Sequence, residues 1–95
     1  MLYEKRVGSF MRLMKEIRIL DSDAGIRMLG TYRGKKCLVF LSKSAGGFTA
    51  IVCAVSGTRN PLPGRRLLAV EFAHMSELAK FLRSVTTGHV QAFVY

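Results

Sequence analysis

The chain has 95 residues, 49% of them hydrophobic, with six Phe, three Tyr and no Trp. That is enough apolar material for one folded domain and too much for a disordered basic tail. Fifteen Lys and Arg against six Asp and Glu leave a formal net charge of +9, so the partners to consider are nucleic acid first, an anionic membrane second and an acidic protein third.

The charge is not spread evenly. Residues 24–70 contain no acid, whereas Arg27, Arg33, Lys35, Lys36, Lys43, Arg59, Arg65 and Arg66 all fall inside them. No stretch reaches the roughly 18 apolar residues that span a bilayer. Glu4, Lys5 and Arg6 are followed by no apolar run of the signal-peptide kind, and a cytoplasmic location is expected. One Asn and one Gln point towards a thermophile, while 22% charged residues is an ordinary share.

In chain order, Tyr3, Val7, Phe10, Met14 and Ile17 recur at alternating four- and three-residue spacing, and Leu13 and Leu20 widen the stripe. This predicts an amphipathic helix over 3–20, weakest around Gly8 and stopped by Asp21-Ser22-Asp23-Ala24-Gly25. Three antiparallel strands follow over 26–32, 36–42 and 48–55. A tight turn at Arg33-Gly34 and a slightly longer one over 44–47 join them.

Gly57, Asn60, Pro61, Pro63 and Gly64 make 56–66 a loop, with Arg59 and Arg65-Arg66 at its ends. A fourth strand is expected over 67–73. Met75, Leu78, Leu82 and Val85 then mark a second helix, with Ser76 as N-cap and Gly88 as stop. Residues 90–95 read as a fifth strand or an extended tail. The expected fold is one α+β domain over 1–95: an antiparallel four- to five-stranded sheet with an N-terminal and a C-terminal helix.

The turns set the register, and register sets the faces. With turns centred on Arg33-Gly34 and on Ala45, one face collects Ile26, Met28, Gly30, Cys37, Val39, Leu41, Ile51 and Cys53, and should lie under helices. The other collects Arg27, Leu29, Thr31, Lys36, Leu38, Phe40, Ser42, Phe48, Ala50 and Val52. This second face sets Arg27 opposite Phe40. Rings on a sheet edged by cations suit an unpaired strand, whose bases stack while its phosphates meet Lys and Arg. Two other fates stay open for Phe40 and Phe48: core beneath a helix, or the seam of a homodimer, for which the heptad-like first helix offers a further surface.

The candidate nucleic-acid-binding residues are Arg27, Tyr32, Arg33, Lys35, Lys36, Phe40, Lys43, Phe48, Arg59, Arg65 and Arg66. Arg33, Lys35 and Lys36 occupy one hairpin, Lys43 the next, and the last three flank the Pro-rich loop.

Signs of catalysis are missing. His74 and His89 have no metal-ligand spacing to each other or to a Cys, and no carboxylate pair is set up for acid–base work. The segment 30–36 lacks the spacing of a phosphate-binding loop and joins two strands. Cys37 would lie opposite Cys53, as buried free thiols or as a cross-strand disulfide. A non-enzyme without cofactor or metal is expected.

Size, element order and the basic–aromatic pattern of 26–55 together resemble the ThermoDBP-related proteins, small thermophilic archaeal single-stranded DNA-binding proteins. The resemblance implies sequence-independent single-strand binding in an apolar cleft edged by cations. The alternatives are an RNA binder, a dimerising accessory protein with an acidic partner, and a duplex binder. No Arg-rich reading helix supports the last.

Overall fold

The computed structural model describes residues 5–56, 62–86 and 90–95. Among them the elements run β1 (Lys5–Val7), α1 (Phe10–Arg18), β2 (Gly25–Tyr32), β3 (Lys35–Ser44), β4 (Gly47–Ser56), β5 (Leu62–Phe72), α2 (Met75–Val85) and β6 (Gln91–Val94). The strands form one six-stranded antiparallel sheet in the order β1-β6-β2-β3-β4-β5. The fold is α+β as expected, but with six strands in place of four or five.

The strand beyond that count is β1, while β6 settles residues 91–94 as strand and not as tail. Residues 5–7 were expected in the first turns of the helix and instead pair with β6. Ser9 explains the break: its backbone is extended and its hydroxyl accepts from the Arg12 N–H at 3.2 Å, so α1 starts behind this cap. Val7 had fitted the helical stripe only by spacing; it is buried in a strand opposite Ala92. Residues 91–94 pair on both sides, with β1 and with β2. The second helix is capped at His74, without a side-chain bond, and Ser76 falls inside its first turn. Gly88 lies outside the described residues.

The hairpins decide the faces. Arg33 and Gly34 both take positive φ, 52° and 79°, as a two-residue turn matched to strand twist requires. The resulting register sets Arg27 opposite Phe40, as the turn chemistry predicted. At the next hairpin Ser44 pairs directly with Gly47, leaving a two-residue turn at Ala45-Gly46. The turn is shorter than expected, and a one-residue slip exchanges the faces of a strand. Phe48, Ala50 and Val52 therefore turn towards the helices, and Ile51 and Cys53 away from them.

Cys37 consequently faces Ala54, Cys53 faces Leu38, and both thiols are free and buried. The cross-strand disulfide is excluded because the two residues lie on opposite faces. Strand β5 also starts earlier than expected, at Leu62, and absorbs Pro63. As an edge strand of the sheet it has one side that needs no ladder donor, which is where a proline is tolerated.

The core is a single layer between the sheet and the helices. Leu13, Ile17 and Leu20 from the α1 region and Leu78, Leu82 and Val85 from α2 cluster with Val7, Ile26, Met28, Cys37, Val39, Leu41, Ala50, Val52 and Ala92. Every strand residue in this cluster belongs to one face. The helix layer sits so close that a β-carbon on Gly30 would lie 2.6 Å from the Val85 carbonyl oxygen. No helix among the described residues is long and apolar enough to cross a membrane.

Candidate nucleic-acid interface

With α1 and α2 both on one side, the other face of the sheet carries no helical layer among the described residues. Its residues follow from the pairings. One row crosses all six strands as Arg6, Phe93, Arg27, Phe40, Ile51 and Ala69. A second row runs Gln91, Leu29, Leu38, Cys53 and Arg66, and Thr31 with Lys36 begins a third. The first row alternates cation and ring over its first four positions. Within it the Arg27 guanidinium carbon lies 5.5 Å from the centroid of the Phe93 ring, close enough for a cation–π contact.

Tyr95 adds a third ring. Its backbone exchanges two hydrogen bonds with Gly25, at 3.0 and 2.9 Å. A β-carbon on Gly25 would lie 2.7 Å from the Tyr95 hydroxyl oxygen, so the phenol lies over Gly25 on the same open face, 46% exposed. The apolar middle of the face is largely shielded from solvent. Leu38 is 3% exposed and Cys53 8%, yet neither belongs to the helix-side core cluster.

The strands also have two unlike ends. Arg33, Lys35 and Lys36 at the β2–β3 hairpin share one end with Arg65 and Arg66 at the start of β5. All five are exposed. The opposite end carries Asp21 and Asp23 before β2 and Glu71 near the end of β5, together with Lys43.

Of the residues singled out from sequence, Arg27, Phe40, Lys36 and Arg66 come together on the open face. Arg33, Lys35 and Arg65 stand at its basic end, while Lys43 stands apart at the other end. Tyr32 and Phe48 do not share the face: both pack against the helix-side core. Tyr32 is instead covered by Arg33, 5.4 Å from its ring centroid. Arg59 lies outside the described residues.

Arg6, Phe93 and Tyr95 join this face although helical spacing over 3–20 covers the first and 90–95 fits strand and extended tail alike. Residues 91–95 carry four apolar side chains in five, so their own pattern does not say which of them face the helices.

Burial raises the Cys37 thiol above its ordinary pKa, a hydrogen bond with the Gly30 backbone works against this, and the nearby Cys53 adds to it. The net effect keeps Cys37 a neutral, poorly nucleophilic thiol. No described group of three or more His, Cys, Asp or Glu is arranged to hold a metal ion.

No family model, curated protein or solved structure matches the chain.

Proposed function

We propose that the protein is a non-catalytic binder of single-stranded nucleic acid, DNA in the first instance, that takes its ligand across the open sheet face with little regard to sequence. The row Arg6–Phe93–Arg27–Phe40 carries the proposal. Phe93 and Phe40 are two strands apart, about 10 Å at the usual interstrand spacing. Neighbouring bases in a duplex strand are only about 3.4 Å apart along the axis. Bases resting on both rings must be splayed, which an unpaired strand permits and a duplex does not.

Arg27 has a double part here. Its guanidinium over Phe93 offers a flat, charged surface on which a base can stack, backed by the ring. Phosphates are met by Arg6, Lys36 and Arg66 and by the exposed cations at the basic end. Asp21, Asp23 and Glu71 at the opposite end repel the backbone, so the strand crosses nearer the β2–β3 hairpin. A relationship to the ThermoDBP-related proteins is part of this proposal.

A homodimer sealed across the open face is the less favoured arrangement. Leu38 and Cys53 are already shielded in the single chain, so the apolar area left for a second copy is small. Cations in the same rows would also meet their own images.

Fluorescence anisotropy with labelled DNA single strands, RNA single strands and duplexes, each at two salt concentrations, tests the proposal. Salt-sensitive binding selective for single strands is expected. Equal or stronger binding to duplex would overturn it.

A further inference from the structure

The helix side of the molecule carries a second surface that the nucleic-acid proposal does not use. Phe10, Met11, Met14, Lys15 and Arg18 of α1 and Arg83 of α2 line a groove of about 690 Å³. Its apolar part is largely thioether: Met11 is 84% exposed and Met14 is half-buried. Exposing an unbranched apolar side chain to this degree gains the fold nothing, whereas flexible Met surfaces adapt well to apolar partners. Among the described residues, every charged side chain lining the groove is a cation.

We infer that this groove docks an acidic amphipathic segment of a partner protein, its apolar side chains on Met11 and Met14 and its carboxylates on Lys15, Arg18 and Arg83. A second copy of the chain fits poorly, because a two-fold contact through the groove brings the same three cations face to face in a protein of net charge +9. Nucleic acid fits poorly for another reason. Phe10 is the one ring among the described lining residues, so successive bases would find no second ring to stack on, of the kind the sheet row offers. The nine residues of α1 extend about 13 Å at 1.5 Å per residue, so the occupant lies against the groove over roughly two helical turns. This places the segment in the helix-in-groove class of recognition.

The probe is a labelled amphipathic peptide about four turns long, with Leu and Phe at helical i, i+3, i+4 and i+7 positions and Glu elsewhere, compared with its Gln counterpart. Binding of the Glu peptide, weakened roughly tenfold or more by Met11→Asp or Arg18→Glu, is expected. Lys80→Glu makes the same charge change as Arg18→Glu on an exposed α2 position outside the groove and should leave affinity within about twofold. The inference fails if the Glu peptide does not bind, or if Lys80→Glu weakens it as much as Arg18→Glu. It also fails if a single-stranded oligonucleotide displaces the peptide and loses its own affinity on Met11→Asp. Single-strand binding by the sheet can fail or succeed independently of each of these results.

Discussion

The two faces of the sheet come from the same strands, yet they follow different rules. Beneath the helices, opposed positions are Ile26 with Leu41, Met28 with Val39 and Val39 with Val52, all of them buried. One residue along, Arg27 opposes Phe40 and Thr31 opposes Lys36, partly or wholly exposed, while between them Leu29 opposes the buried Leu38. Alternation separates a uniformly packed surface from one that keeps cations beside rings around a shielded centre. The lesson is that a ring's role here depends on the parity of its position and not on its type.

The largest expected contrast comes from striking the helix side. Leu41→Ala should cost about 2–5 kcal/mol of stability, read as a lowered denaturation midpoint, while the protein that remains folded binds single strands as before. Phe40→Ala or Phe93→Ala should do the reverse: each removes a stacking surface and weakens single-strand binding by about 1–3 kcal/mol, with a smaller effect on melting. If Phe93→Ala unfolds the protein and leaves the affinity of the folded fraction intact, the open face is a packing surface after all.

Phe48→Ala sharpens the comparison, because sequence alone had placed this ring beside Phe40. It should lower stability by about 1–3 kcal/mol, as partial loss of a core aromatic does, and shift affinity for an oligonucleotide less than about twofold. Arg27→Lys keeps the charge but loses the plane over Phe93, so a loss of about 0.5–1 kcal/mol in binding is expected at unchanged salt dependence. Smallest is Lys36→Gln. It should flatten the slope of log affinity against log salt by about 0.7, an effect that fades as salt rises.

What could be read from sequence was set by turn chemistry. Arg33-Gly34 has the residues of a two-residue hairpin, and the pairing of Arg27 with Phe40 followed from it. The segment 44–47 offers Gly at two successive positions, which fits turns of two or three residues equally well, and that ambiguity moved Phe48, Ala50 and Val52 to the wrong side. At the N-terminus Tyr3, Val7 and Phe10 satisfy helical spacing although a strand and a Ser9 cap intervene. Short strands such as β1 and β6 hold only a few alternating residues, so their pairing partners decide them and their own pattern does not. The basic end was visible as a run of cations, but not the convergence of the β2–β3 hairpin with the start of β5.

Strand β6 has a consequence for how the molecule assembles. Strands β2 to β5 form a meander in which each neighbour follows its predecessor along the chain. The pairing of Met28 with Ala92 instead closes a sequence separation of 64 residues. Contacts that close short loops form first and distant ones later, so β6 should arrive last, slipping between β2 and β1. Until then β2 is a bare edge able to pair with a neighbouring chain, and β1 has no place in the sheet. Refolding should therefore show the meander protected from hydrogen exchange before residues 91–94, and the contact of Arg27 with Phe93 should be among the last to form.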